Sequence, residues 1–192
     1  MGRRAALILA AGASERMGTP KALLAWDGTT LLDYALRQAR AAGIDELVVV
    51  LGPATRHLEL GATTVFNPTP ETGRSASIRL GAAALSEAPE AILIQSVDQP
   101  VPADVIRALL EAIAVSVDAA VPTYRGRRGH PVAFAGRLLD ELRTVTEEDQ
   151  GLRALVRRHA AQLHEVAVET EAVVWNLNDP AAYAAARAAV QP

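Results

Sequence analysis

Apolar positions along the chain fall into short unbroken runs, separated by longer stretches with helical spacing. Residues 5–11, 47–51, 91–97 and 119–123 are runs of the first kind, and 63–66 is a shorter one. Runs of this length and aliphatic content predict strands covered on both faces. Between them Leu31, Leu32, Ala35, Leu36 and Ala39 recur near helical spacing. Thr29 or Thr30 can cap that helix and Gly43 can end it. Further helices are predicted over 75–85, 103–115, 138–142, 151–159 and 180–190, with Asp104 near one N-terminus and Pro180 in the first turn of the last. Residues 132–134 follow the fifth strand closely enough to pair with it antiparallel, across a basic loop at 125–129. Residues 164–168 and 173–177 complete the strands. Strands alternating with helices predict an α/β fold: a single-domain, Rossmann-like, mostly parallel mixed sheet with helices on both faces. Such sheets bind ligands at the carboxyl ends of their strands.

Composition narrows the classes. The 192 residues are 50% hydrophobic, enough for one sizeable core, and no internal repeat or linker divides them, so 1–192 is read as one domain. A net charge of −3 gives no basic field for nucleic acid or an anionic membrane. Cysteine is absent, which excludes disulfides, thiolate metal sites and a cysteine nucleophile, and fits a cytoplasmic setting. Arg3 and Arg4 precede an apolar stretch, but it breaks at Gly12 and runs into Glu15 and Arg16, too short and too charged for a signal or a span. Abundant alanine with 4% aromatics reads as helix content.

The loop after the first strand carries the first candidate chemistry. Gly12 permits a sharp turn with positive φ and a close backbone approach. Ser14, Arg16 and Lys21 add a hydroxyl and two fixed cations, and Gly18 and Pro20 punctuate the exit. Exposed N–H groups with cations beside a buried strand suit polyphosphate. Neither common phosphate loop is present: five residues separate Gly12 from Gly18, with Lys21 later, and no G-x-G-x-x-G occurs. The second strand ends in Leu51-Gly52-Pro53 without the acid that a dinucleotide's ribose needs, which disfavours an NAD(P)-binding oxidoreductase.

Other strand ends add carboxylate, amide and hydroxyl. Asp98 ends the fourth run ahead of Pro100, and a carboxylate there can hold Mg²⁺ against phosphates. The alternative, a cap for the helix near Ala103, requires it to act from well upstream. Asn178 can cap the closing helix, as can Asp179. Ser75 and Ser77 start a helix, where they can cap it or favour an anion. His130, alone before Pro131, reads as a binding or packing residue rather than an acid or base. His57, His159 and His164 read as surface.

The stretch LAAGASERMGTPK resembles the signature L-A-A-G-x-S-x-R-M-G-x-x-K of the small nucleotidyltransferases of molybdenum cofactor biosynthesis. Five more stretches resemble elements of that family. Gly73 to Gly81 resembles G-x-x-x-S-[LI]-x-x-G, and Asp98-Gln99-Pro100 its D-Q-P. Gly129-His130-Pro131 resembles the G-x-P element of the cytidylyltransferase branch, and Asn176 to Pro180 the late D/N-x-D/N-x-P. Asp149-Gln150-Gly151-Leu152-Arg153 is similar to G-D-x-G-A-R, with Glu148 and Leu152 departing from it.

The resemblance implies a nucleotidyltransferase fold. Leu9, Ala10, Ala11, Gly12 and Ser14 would wrap the nucleotide, with Arg16 and Lys21 on its phosphates. Gly73, Ser75, Ser77 and Gly81 would line the pocket. Asp98 would be the Mg²⁺ ligand, with Asn178 a second ligand or water-bridged neighbour. Gly129, His130, Pro131, Asp149 and Arg153 would face the acceptor. The implied reaction moves CMP from CTP to the phosphate of molybdopterin, releasing pyrophosphate, in the service of a molybdoenzyme of the xanthine dehydrogenase type. A guanylyltransferase would more usually read L-A-G-G. Methylerythritol phosphate cytidylyltransferases share L-A-A-G but usually lack D-Q-P and G-H-P. A catalytically silent nucleotide- or cofactor-binding chaperone is the alternative outside enzymes. Every enzymatic version requires Lys21 and Asp98 to meet in one cleft.

Overall fold

The structure, a computed structural model, describes residues 2–12, 14, 17–86, 89–113 and 115–190. Its centre is the first apolar run, β1 (Arg4–Ala10). Two hairpin strands, β2 (Ala25–Trp26) and β3 (Thr29–Thr30), follow; they turn through Asp27 and Gly28, both at positive φ, as a two-residue hairpin requires. Helix α1 (Leu31–Ala41) leads to β4 (Glu46–Leu51), which pairs parallel with β1. Aliphatic side chains fill both sides of β1: Ala6, Ile8 and Ala10 join one core, Ala5, Leu7 and Leu9 the other. Burial on both faces is why this run is continuous rather than alternating.

From β4 the chain adds β5 (Thr63–Phe66) in parallel at the outer edge, then crosses back. Helix α2 (Arg74–Ala84) leads to β6 (Ala91–Ser96), parallel to β1 on its other side. Beyond it, α3 (Ala103–Ala112) precedes β7 (Ala119–Tyr124), β8 (Arg127–Arg128) and β9 (Val132–Ala135). Strand β9 inserts antiparallel between β6 and β7, and β8 folds back on β7. After α4 (Leu139–Leu142) and α5 (Leu152–Arg158), β10 (Leu163–Ala167) pairs parallel with β7 at the far edge. The eight-stranded order β10-β7-β9-β6-β1-β4-β5, with β8 on β7, is the predicted mixed, mostly parallel sheet. Helices α1 and α3 cover one face; α2, α4 and α5 cover the other. The order reverses at β1, so a crevice opens past the ends of β1 and β6.

Local signals resolve as follows. Thr30, not Thr29, caps α1: its hydroxyl accepts from the Asp33 N–H at 3.1 Å and donates to the Asp33 carboxylate at 2.7 Å. Gly43, at φ 84°, follows the Ala42 cap. Helix α3 stops at Ala112, short of 115, because Ile113 turns extended as it tucks against the core.

Residues 173–177 are not a strand. Glu171–Val174 form a 3-10 turn, and the chain then runs extended outside the sheet. Val173 and Leu177 are buried, but their backbone serves loops: Val173 O accepts from the His130 N–H at 2.7 Å, and the Leu177 N–H donates to Asp98 O at 3.1 Å. The closing helix α6 (Pro180–Val190) packs with the β2–β3 hairpin on this strap through Trp26, Leu31, Leu177 and Ala186.

His159 is a half-buried brace rather than a surface residue. Its Nδ1 lies 2.6 Å from Asp118 Oδ2 and its Nε2 3.0 Å from Glu141 Oε1. Burial works against the Asp118 charge, but hydrogen bonds from His159 and Arg137 hold its carboxyl below the ordinary value. Among the described residues no helix is long and apolar enough to cross a membrane.

Candidate functional site

Strand β1 delivers its exit loop to the mouth of the crevice. Ser14 staples the loop: its Oγ accepts from the Lys21 N–H at 2.9 Å, and its carbonyl accepts from Met17 N–H at 2.8 Å. The positive φ expected at Gly12 falls instead at Ser14, at 56°, and at Gly18. Gly12 has a different use. A Cβ there would meet no atom within 4 Å and would project into open space beside the pocket. The next turn is pressed against this exit, because a Cβ on Gly52 would lie 2.2 Å from Ala11 O. Thr55, buried there, donates to Ala10 O at 3.2 Å.

Asp98 comes from the turn past β6, and Asn178 from the strap. Helix α3 begins after Pro102 without a side-chain cap, so Asp98 is not its cap. Asp179 caps α6 by accepting from the Ala182 N–H at 2.9 Å, which leaves the Asn178 side chain free to face the crevice. Lys21 Nζ donates to Asp98 Oδ2 at 2.7 Å and to Asn178 Oδ1 at 2.6 Å. Lys21 and Asp98 therefore share one cleft. The side chains are only 16% and 18% exposed, so the pair is weakly screened.

A buried amide chain fixes their spacing: Gln95 Nε2 donates to Gln99 O at 3.0 Å, and Gln99 Nε2 to Asn176 Oδ1 at 3.0 Å. The carboxylate and the amide oxygen both bear on one cationic point, now held by the ammonium. That donor set suits a hard divalent cation completed by phosphate oxygens and water. Among the described residues no group of three or more His, Cys, Asp or Glu side chains is arranged to hold a metal ion by itself.

Leu9, Ala10, Ala11, Gly12, Ser14 and Lys21 line a pocket of about 210 Å³ with Gly73, Arg74, Ser77 and Asp98. Beside it lies a second cleft, between the α2 N-terminus and the start of α5, lined by Arg74, Ser75, Gly151 and Arg153. The model of the MobA-like NTP transferase domain matches residues 6–187 of the chain. The chain belongs to that family.

Its relatives carry different acceptors in their names. The 2-C-methyl-D-erythritol 4-phosphate cytidylyltransferase of Streptomyces avermitilis is 30% identical, covering 93% of this chain and 78% of the relative. A probable molybdenum cofactor guanylyltransferase of Bacillus cereus is 28% identical, covering 78% of this chain and 77% of the relative. The crystal structure of Rv0371c from Mycobacterium tuberculosis superposes with a TM-score of 0.83 at 30% identity, covering 98% of this chain and all of that one. The same protein's complex with manganese gives 0.80 at 26% identity, with 98% of this chain and 100% of that one covered.

Several expected residues of this MobA-like chain sit elsewhere. Arg16 lies outside the described residues. Gly81 does not line the pocket: it lies in α2, where a Cβ would come within 3.0 Å of Val50 and 3.2 Å of Leu7, so it serves close helix–sheet packing. Ser75 belongs to the second cleft, whereas Ser77 lines the first while its Oγ accepts from Asn67 Nδ2 at 2.9 Å. Asp149 is exposed and accepts from the Thr146 hydroxyl at 2.7 Å; it is spent on its own turn, outside the cleft lining. Arg153 lines the second cleft.

Gly129 and Pro131 are buried, and a Cβ on Gly129 would lie 2.2 Å from Val173 O. That contact pins the loop carrying His130. Burial first, then the Arg74 charge, lowers the His130 imidazole to about 4, with Arg153 adding to the shift and Asp98 opposing it. His130 is thus neutral at neutral pH. The residues missed from sequence are Arg74, Gln95, Gln99 and Glu147. Arg74 stood inside a quoted motif, and its position ahead of two serines at a helix start was the available signal.

Two tests arise here. Gly12→Ala is expected to change unfolding free energy by less than about 0.5 kcal/mol, since its methyl meets nothing. Nucleotide affinity should fall about tenfold or more, because the methyl enters the space of the ligand; calorimetric titration beside a melting curve checks both. For His130, the unfolded chain takes up its proton below pH ~6.5 while the folded chain waits until about 4. Stability should therefore fall as pH drops from ~6.5 to 4 and level off below. Denaturation midpoints at pH 7 and 4.5 should differ less in His130→Gln than in the parent.

Proposed function

We propose that the chain, as one domain, transfers a nucleoside monophosphate, CMP first among them, from an NTP to the phosphate of a small acceptor such as molybdopterin. The observation that carries this is the meeting of Lys21, Asp98 and Asn178 at the mouth of a pocket walled by the β1 exit loop. The acceptor's monoester has its second pKa near ~6, so at neutral pH it is mostly dianionic and already nucleophilic. An oxygen of that phosphate bonds to the α-phosphorus as the bond from α-phosphorus to the β-phosphate's bridging oxygen breaks. Pyrophosphate leaves with the electron pair. No general base is needed, and a His130 imidazole lowered to about 4 would be a weak one.

The chain's own task is positioning and charge. Backbone from Leu9 to Gly12 shapes the pocket, Lys21 meets the triphosphate, and Arg16 is assigned to the same phosphates by its place in the loop motif. Asp98 and Asn178 would hold Mg²⁺, which when bound neutralises charge on the triphosphate and the leaving pyrophosphate. The manganese complex of the similar mycobacterial protein supports a divalent cation, and the cytidylyltransferase relative supports cytosine. That relative also favours a second reading, in which the acceptor is 2-C-methyl-D-erythritol 4-phosphate.

The deciding experiment offers CTP, GTP, ATP and UTP with Mg²⁺ to each of the two acceptors and follows pyrophosphate. Release with CTP and molybdopterin carries the first reading, and release with CTP and the erythritol phosphate carries the second. Tight nucleotide binding without release from any pair would make the chain a carrier, not a transferase.

A further inference from the structure

The second cleft has features that nucleotide binding leaves without a use. It measures about 420 Å³ and meets the nucleotide pocket at Arg74, which lines both. Within it Ser75 is 1% exposed, and its hydroxyl has no hydrogen-bond partner within 3.5 Å at good geometry. The hydroxyl points at Gly151, where an added methyl would sit 2.8 Å from it. A buried hydroxyl left without a partner costs about 1–3 kcal/mol, and a ligand oxygen would relieve that cost.

The neighbouring Ser75 N–H is occupied by Glu147. Its Oε1 accepts at 2.6 Å, reaching back across 72 residues of sequence. The backbone N–H of Ser75 is the main cause holding the Glu147 carboxyl below its ordinary value; burial opposes it, and the nearby Ser75 hydroxyl, the Arg74 N–H and the Arg74 charge assist. Gly73 makes room for this contact, since a Cβ there would lie 2.4 Å from Glu147 Cγ. Yet Glu147 itself is exposed, so its way out to solvent is open. An anion is seated on the first turn of an eleven-residue helix, where the backbone favours negative charge. Arg74 and Arg153 place two guanidinium groups on the same walls, a pairing suited to phosphate.

We propose that this cleft seats the phosphate monoester of the acceptor, bound by the Ser75 N–H and hydroxyl with Arg74 and Arg153, and that Glu147 holds the seat until phosphate displaces it. The proposal rests on the reading that the acceptor is phosphorylated. A carboxylate and a phosphate dianion repel each other, so one leaves when the other binds. An acceptor without phosphate has nothing with which to displace Glu147, and Glu147 thereby becomes a specificity device.

Inorganic phosphate, titrated into the full-length chain, is the probe, with the backbone amide signals of Ser75 and Gly151 read by ¹H–¹⁵N correlation spectra. Both signals should shift in the parent. Glu147→Gln keeps the shape but drops the charge, so half-saturation should move to about tenfold lower phosphate. Arg153→Ala, at an exposed position, should move it about tenfold higher. The proposal is overturned if phosphate shifts only amides of the β1 exit loop, or if Glu147→Gln leaves half-saturation unchanged. Should that variant fail to fold, an unchanged half-saturation in Arg153→Ala overturns it equally. The outcome is independent of the transfer reaction: absence of pyrophosphate release with every NTP would defeat the functional reading and leave these shifts standing.

Discussion

Asp98→Ala is expected to cut nucleotidyl transfer by about a thousandfold or more at saturating Mg²⁺, with the circular dichroism spectrum unchanged. Among the described residues Asp98 supplies the one carboxylate at the point where Lys21 Nζ and Asn178 Oδ1 meet. An amide ligates a hard cation but brings no charge, so removing Asp98 removes most of the protein's attraction for the metal. The fold should survive, because Asp98 caps no helix and its backbone carbonyl, which receives the Leu177 N–H, remains. Pyrophosphate release under single-turnover conditions is the measurement. Turnover within tenfold of the parent would mean that the cation is held elsewhere.

Lys21→Met should move two quantities in opposite directions. With nothing else bound, the ammonium sits 2.7 Å from the Asp98 oxygen and 2.6 Å from the Asn178 oxygen, where those oxygens would meet a metal ion. A metal arriving alone must break these charge-assisted contacts, each worth roughly 1.5–3 kcal/mol. Methionine keeps the length without the charge. Mn²⁺ affinity of the nucleotide-free chain, followed by the free-ion paramagnetic resonance signal, should rise about tenfold or more. Turnover should fall about a hundredfold, because the triphosphate loses a fixed cation. Unchanged Mn²⁺ affinity would show that the ammonium does not compete with the metal.

Sequence reading succeeded where the cause is local. Continuous aliphatic runs marked strands buried on both faces, and the β7–β9 pairing followed from a short connection. The position of Asp98 in the cleft was legible because it follows the end of an apolar strand, where such sheets open their crevice. It failed where a residue is chosen by something far along the chain. Glu147 caps a helix start 72 positions earlier, and Gln99 meets Asn176 across 77; neither contact leaves a periodic trace. The strap at 173–177 looked like a strand because burial selects apolar residues whether or not a ladder forms. Gly12 was assigned a strained backbone that Ser14 adopts instead, since stapling the loop to Lys21 fixes Ser14 rather than its neighbour. Gly81 shared a motif with pocket residues, but its missing side chain is spent against Val50 and Leu7.

The small aromatic core under the strap also gives the protein an intrinsic optical probe. Its two tryptophans, Trp26 and Trp175, stand edge to face with centroids 6.2 Å apart, and Tyr183 also packs on Trp26. Leu177, in the same cluster, is next in sequence to Asn178. Asn178 is thus one buried leucine away from the cluster that holds both indoles. Emission wavelength and quenching should report when the amide exchanges an ammonium for another partner, in solution and without an added dye.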